Sequence, residues 1–160
     1  MMHNLKYQEI NEFDYATLTK IMTEAFNDDT KMHTSLLEDG PRGYNDGTLV
    51  RRLCSDRNMI NRKIIYQNEI IGLYVLSPIT TDTYEIEMIA LSPKYKQLGI
   101  GTNVWRDIEN TYRQVKKWIV ETPEYSKRNI YFYTVKCGFE PNRERVYDNG
   151  DKSIIFDKLV

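Results

Sequence analysis

The sequence predicts an α+β (mixed α/β) fold, one β-sheet with helices packed against it. Three observations carry that reading. Segments of period-two alternation and segments of helical apolar spacing share one chain, in the order β-α-α-β-β-β-α-β-α-β-β. Hydrophobic residues make up 41% and charged residues 28%, the balance of a soluble globular chain. The length of 160 residues predicts a single domain over residues 1–160, large enough to bury a core without staples.

The elements follow in order. Residues 5–10 read as a first strand, and Asn11 caps a helix with Asp14 three residues on. Tyr15, Leu18, Ile21, Met22, Ala25 and Phe26 then fall at helical spacing. Residues 27–47 read as an irregular stretch with five acidic residues, Asp28, Asp29, Glu38, Asp39 and Asp46, against Lys31 and Arg42. A connection this long inside a compact domain is usually functional or disordered. Asp46 is placed to cap a second helix that buries Leu49, Val50 and Leu53. Residues 63–66 and 70–76 flank Gln67-Asn68-Glu69 as a hairpin, and Pro78 ends its second strand. Thr83–Leu91 is a third strand of the group. A helix is expected from about Thr102, with Val104, Trp105, Ile108 and Tyr112 on its inner face. Residues 118–121 form a short strand before Pro123, and residues 126–135 a helix. Asp148-Asn149-Gly150 is a hairpin turn between a strand near Arg145 and a last strand at 153–159.

Charge and composition exclude several functions. Lys+Arg is 22 against Asp+Glu 23, a formal net charge of -1, which gives no footprint for nucleic acid or an anionic membrane. No apolar run approaches a membrane span, and the opening MMHNLKYQEINEFD holds no apolar signal core. Cys54 and Cys137 are few and far apart, which points to free thiols and a cytoplasmic location. His3 and His33 are the only histidines, so no Cys–His pair is indicated and Cys137 reads as a buried, inert thiol. No Cys/His cluster has ligand spacing, and no metal is expected.

The stretch YKQLGIGT, residues 95–102, is the strongest local signal. It lacks the G-x-x-x-x-G-K-S/T pattern of a P-loop. Gly99-Ile100-Gly101 is followed by Val104 where a dinucleotide fingerprint needs glycine. A strand ending near Leu91 and a helix starting near Thr102 still present free N–H groups and the positive end of a dipole. Gly99 and Gly101 allow close approach to the backbone, while Thr102 adds a hydroxyl and Lys96 a charge. Two readings stand side by side, an anion site and a simple turn.

ALSPKYKQLGIGTNVW, residues 90–105, resembles the pyrophosphate-loop motif of the GNAT (Gcn5-related) N-acetyltransferase superfamily. In that motif a strand runs into x-x-P-x-Y-R/Q-x-x-G-x-G/A-S/T and then a helix. Pro93, Tyr95, Gly99, Ile100, Gly101 and Thr102 match, and Lys96 departs from Arg or Gln. The element order is similar over nearly the whole chain. SKRNIYFYTVKCGFEP, residues 126–141, resembles the family's N-x-x-A-x-x-F-Y-x-K-x-G-F. Placing Phe132-Tyr133 on F-Y puts Ser126 on the Asn and requires one extra residue before Cys137-Gly138-Phe139. The other register puts Thr134 on the tyrosine. GPRGY, residues 40–44, and ETPEYSKRN, residues 121–129, are similar to a bacterial subgroup of the family, which fixes no substrate.

The resemblance implies a GNAT-like acyl-CoA N-acyltransferase fold, with a central, mostly antiparallel twisted sheet and helices on both faces. It implies acetyl-CoA as co-substrate. Lys96, Gln97, Leu98, Gly99, Ile100, Gly101 and Thr102 would hold its diphosphate. The backbone of Ile89, Ala90 and Leu91 would pair with its pantetheine arm. Tyr133 would protonate the departing thiolate and, with Asn129 one turn earlier, contact the cofactor. Alternation puts Tyr84, Ile86, Met88 and Ala90 on one face of the third strand and Glu85, Glu87, Ile89 and Leu91 on the other. Two unpaired carboxylates on a covered strand belong in a wet cleft, where they raise each other's pKa. Glu85, fourteen residues before Gly99, has the spacing of the base in histone-type members, and Glu87 is its rival. The acidic excess of residues 27–47, which line the acceptor side in the family, hints at a cationic amine.

The reading is an N-acetyltransferase acting on a small-molecule or peptide amine by direct attack in a ternary complex. It involves neither nucleic acid nor membrane, and a homodimer is one assembly the resemblance admits. The alternative is a non-catalytic acyl-CoA-binding module on the same fold.

Overall fold

The computed structural model of the protein describes residues 4–160, so His3 lies outside the described residues. Strand β1 (Leu5–Gln8) leads through a 3-10 turn (Glu12–Asp14) into helix α1 (Tyr15–His33). Asn11 caps that turn. Its Oδ1 accepts the Phe13 N–H at 2.9 Å, and Asp14 Oδ2 accepts the Asn11 N–H at 3.0 Å. Lys63 Nζ donates to the same Asp14 oxygen at 2.8 Å and ties the turn to the sheet.

Helix α1 corrects the sequence reading. It does not stop at Phe26 but continues to His33, which leaves residues 34–47 as the irregular stretch. Its buried positions in this part are Asp29 and Thr30. The apolar periodicity ended there although the helix did not. Helix α2 (Thr48–Ser55) follows. Asp46 Oδ1 accepts the Thr48 N–H at 2.9 Å, with left-handed Gly47 (φ 90°) between them.

Strands β2 (Ile60–Tyr66), β3 (Glu69–Pro78) and β4 (Thr83–Leu91) come next, then helix α3 (Ile100–Thr111) and strand β5 (Lys117–Pro123). Helix α4 (Lys127–Tyr131) runs into a π turn (Phe132–Lys136), and β6 (Glu140–Val146) and β7 (Lys152–Leu159) close the fold. The described strands make one seven-stranded sheet in the order β1-β2-β3-β4-β5-β7-β6. Neighbours are antiparallel except β4 and β5, which run parallel.

Two cores sandwich the sheet. On one face Leu18 and Met22 of α1 and Leu49, Val50 and Leu53 of α2 pack on Leu73, Val75 and Ala90. On the other, Val104, Trp105 and Ile108 of α3 meet Trp118, Phe139 and Phe156. The Trp105 and Trp118 rings stand edge to face at 5.1 Å. Each fully buried aliphatic side chain contributes about 1.5–3 kcal/mol of transfer free energy. Covered on both sides, β3 is apolar and buried without a break from Ile71 to Leu76. Among the described residues no helix is long and apolar enough to cross a membrane.

Two irregularities of β4 shape the site. Its register with β3 steps from Ile86 opposite Leu76 to Met88 opposite Val75, so Glu87 is bulged out. The bulge overturns the expected alternation. Tyr84 and Ile86 face the α3 core, whereas Met88 and Ala90 face α1 and α2. Ile89 and Leu91 in turn pack on the α3 side. The parallel pairing with β5 spans only Thr83 to Ile86 against Lys117 to Val120. Beyond it β5 stays with β7, and a gap opens beside residues 87–91 of β4.

Candidate active site

A cavity of about 420 Å³ fills that gap. Residues 89–91 of β4 line it on one side and Asn129, Phe132 and Tyr133 on the other. Its end is closed by the loop after β4 and the first turn of α3, and Ala25, Phe26, Asp28 and Asp29 of α1 complete the wall.

The loop turns through two residues with positive φ, Gln97 (63°) and Gly99 (78°). Gly99 stands directly before α3, which starts at Ile100, two residues earlier than expected. The first intrahelical bond runs from the Asn103 N–H to the Gly99 carbonyl at 3.1 Å. The amides of residues 100–102 therefore have no acceptor one turn back, and they carry the positive end of the helix dipole. A Cβ at Gly101 would come within 3.2 Å of Phe132 Cε1, so glycine lets α3 approach the α4 wall.

Ile89, Ala90, Leu91, Lys96, Gln97, Gly99, Ile100, Gly101, Thr102, Asn129 and Tyr133 all line this cavity. Leu98 does not line it, and its side is 52% exposed. Asn129 and Tyr133 thus reach one space from successive turns, as their spacing requires.

Tyr133 is 7% exposed, with its ring edge-on to Phe132 and Phe139 at 5.1 and 5.7 Å. Burial first, and the nearby Cys137 second, raise its phenol well above the ordinary value. The π turn carries the residue. The Cys137 N–H reaches the Phe132 carbonyl at 3.0 Å, five residues back. Such a turn takes up one extra residue without breaking the helix. The insertion required by placing Phe132-Tyr133 on the family's F-Y has room here. Thr134, the occupant in the other register, does not line the cavity, and its hydroxyl donates to the Ile130 carbonyl at 2.7 Å. Cys137 is 3% exposed and burial pushes its thiol up to about 12, as befits an inert core residue.

Glu85 and Glu87 stand elsewhere, outside the cavity lining. Both carboxyls are raised. For Glu85 the causes are burial and then Glu121, offset by Arg145. For Glu87 they are burial and then Glu85, offset by Arg52 of α2. The expected mutual pair is thus part of a three-carboxylate array, in which Glu121 adds its charge to both Glu85 and Glu87. Parallel pairing of β4 with β5 brings Glu121 near. Its carboxylate accepts from Arg145 at 3.0 Å and from the Tyr147 hydroxyl.

Among the cavity residues that sequence reasoning does not place in the site are Asp28, Asp29 and Arg128. The sequence reads Asp28 and Asp29 as part of an acceptor-side loop, but as helical residues they enter the cavity wall. Arg128 lies on the same wall. Its guanidinium donates to Asp28 Oδ2 at 3.0 Å, and Lys96 Nζ lies 3.2 Å from that oxygen. Burial alone would raise the Asp28 carboxyl, but the hydrogen bonds from Arg128 and Lys96 hold it below the usual value. Ser126, fully buried, donates to Asp29 Oδ1 at 2.9 Å. Among the described residues no group of three or more His, Cys, Asp or Glu is placed to hold a metal ion.

Comparisons with known proteins agree with this architecture. The ribosomal-protein-S18-alanine N-acetyltransferase of Escherichia coli superposes with a TM-score of 0.72 at 13% identity, covering 98% of this chain and 94% of that one. The PaiA N-acetyltransferase of Thermoplasma acidophilum, solved with coenzyme A, gives 0.72 at 15% identity over 98% and 99%. These two show the shared fold. A GNAT family acetyltransferase of Elizabethkingia anophelis, solved with acetyl-CoA bound, gives 0.59 at 26% identity over 70% and 82%. By sequence, 59 residues are 41% identical to the Uncharacterized protein YrkN of Bacillus subtilis (strain 168), taking in 37% of this chain and 32% of that protein. The chain thus aligns with about a third of that curated relative's length. The model of the Acetyltransferase (GNAT) family matches residues 18–139, and the chain belongs to that family.

Proposed function

We propose that the protein is an acetyl-CoA-dependent N-acetyltransferase that acts on a primary amine in a ternary complex. The observation that carries this reading is one cavity holding both an open α3 N-terminus and Tyr133. The residues fit the cofactor. The amides of 99–102 suit a diphosphate, and the β5-side edge of residues 89–91 suits a linear amide-bearing arm. Relatives of this fold solved with coenzyme A or acetyl-CoA support the assignment.

When bound, acetyl-CoA supplies an acyl group on a good leaving thiolate. The chain's residues orient it and manage protons. As the amine nitrogen bonds to the acetyl carbon and the carbon–sulfur bond breaks, the Tyr133 hydroxyl donates toward the departing sulfur. Its raised phenol keeps that proton in place at neutral pH. The amine's surplus proton passes through water to Glu85 or Glu87, whose raised carboxyls suit them as bases. The acidic array of Glu85, Glu87 and Glu121 supports a cationic acceptor.

The position of Glu85 and Glu87 outside the cavity lining favours a second reading, an acyl-CoA-binding module without turnover. Free-thiol release from acetyl-CoA separates the two. The panel would hold small amines, polyamines, amino acids, aminoglycosides and peptide N-termini. Turnover with at least one amine is expected, and Tyr133→Phe should lower it by roughly a hundredfold with acetyl-CoA affinity kept. Tight binding with no thiol release across the panel would select the module.

A further inference from the structure

We infer that Arg128 and Lys96 form a two-cation clamp for a phosphate group of the cofactor, and that Asp28 is the built-in counter-anion which that phosphate displaces. This rests on the proposed cofactor site and adds to it two residues, Arg128 and Asp28, that neither the loop motif nor the helix motif contains.

The geometry is specific. Lys96 comes from the loop before α3, Arg128 from α4 and Asp28 from α1, so three separate elements converge on one wall. Both cations meet the same oxygen, Asp28 Oδ2, at 3.2 and 3.0 Å. One anionic oxygen between an ammonium and a guanidinium is the arrangement that a phosphate oxygen would take up. Neither cation is used up. Arg128 has five N–H donors and Lys96 three, so each keeps donors for a ligand. The backbone N–H of Arg128 is held separately, donating to His33 Nε2 at 3.4 Å. Arg128 Nη2 also lies 3.9 Å from Asp29 Oδ1, which accepts from the buried Ser126 hydroxyl at 2.9 Å and stands 3.6 Å from His33 Nε2.

Charge explains the pairing. Lys96 and Arg128 beside the positive end of α3 repel one another when the site is empty. Asp28 relieves that repulsion, and a phosphate arriving at the amides of 99–102 competes with it. Asp28 thus lowers the affinity for anions while keeping both cations in place.

The test is calorimetry on the 160-residue chain and its Arg128→Gln, Lys96→Gln and Asp28→Asn variants. The titrants are coenzyme A, dephospho-coenzyme A and inorganic pyrophosphate, at low and high salt. Arg128→Gln should weaken coenzyme A by about ten-fold. Asp28→Asn should tighten it by about three-fold at low salt, with the gain shrinking as salt rises. A loss in Arg128→Gln that is equal for coenzyme A and dephospho-coenzyme A assigns the clamp to the diphosphate. A loss confined to coenzyme A assigns it to the 3′-phosphate. Lys96→Gln, on the exposed loop, carries the same test should Arg128→Gln fail to fold. Wild-type affinity in both cation variants, or weaker binding in Asp28→Asn, overturns the inference. Were wild type to bind no coenzyme A, the cofactor reading itself would fall. Pyrophosphate binding lost in Arg128→Gln would then still uphold the clamp, and no pyrophosphate binding would end it.

Discussion

Gly101→Val separates folding from cofactor binding. Gly101 lies in the first turn of α3, and a Cβ there meets Phe132 Cε1 at 3.2 Å, Phe132 Cζ at 3.6 Å and Leu91 Cδ1 at 3.7 Å. The first contact is tight and the others are ordinary, so valine's extra methyls must push either the Phe132 ring or into the cavity. Overpacking of this kind costs about 1–3 kcal/mol. Helix propensity returns about 0.4 kcal/mol, because valine is a better helix former than glycine. The net loss of roughly 1–2 kcal/mol leaves a folded domain and lowers Tm by about 3–8 °C. Binding responds more strongly. Methyl groups at the mouth of the turn block approach to its amides, and one lost hydrogen bond to a charged group costs about 1.5–3 kcal/mol. Acetyl-CoA affinity should therefore fall by roughly ten- to a hundredfold. Calorimetric titration beside thermal unfolding reads both quantities on one sample. A folded variant that binds acetyl-CoA as tightly as wild type would refute the phosphate-loop assignment.

Other perturbations test the frame around the site. A Cβ at Gly72 would sit 2.2 Å from the Ala90 carbonyl oxygen, so Gly72→Ala must displace β4. A loss of roughly 2–3 kcal/mol in denaturant unfolding, with weakened acetyl-CoA binding, is expected, and wild-type stability would show that the strands are farther apart. Glu85 and Glu87 are raised, so ionisation destabilises the folded state as pH climbs from the ordinary carboxylate value through the raised one. Glu85→Gln and Glu87→Gln should each raise the melting temperature at pH 7, with the gain gone at pH 4. A gain independent of pH would rule out the burial of these charges and their mutual repulsion as the cause.

The fold was legible where physics is local. The Asn11 cap with Asp14, the apolar stripes of α1 and α3, and the glycines before α3 each follow from residue type and spacing. Four features were not. The extension of helix α1 past Phe26 is hidden because its buried positions there are Asp29 and Thr30, polar groups whose partners include Ser126 and Asp39, outside the helix. The bulge at Glu87 leaves no mark on an alternating string, yet it moves Met88 and Ala90 to the opposite face from Ile86. Glu121 acts on Glu85 only through the parallel pairing of β4 and β5, a contact made across the whole of α3. Arg128 and Asp28 are 100 positions apart, and no local pattern links them. Asp29 alone carries a usable signal, because it falls at helical spacing from Phe26 and Met22.

A crystal structure grown with coenzyme A tests the cofactor site most directly. The expected result is diphosphate density against the amides of residues 99–102 and a thiol end lying between residues 89–91 and Tyr133. Coenzyme A seated elsewhere, or an unliganded cavity with Asp28 still bridging Lys96 and Arg128 at saturating coenzyme A, would contradict it.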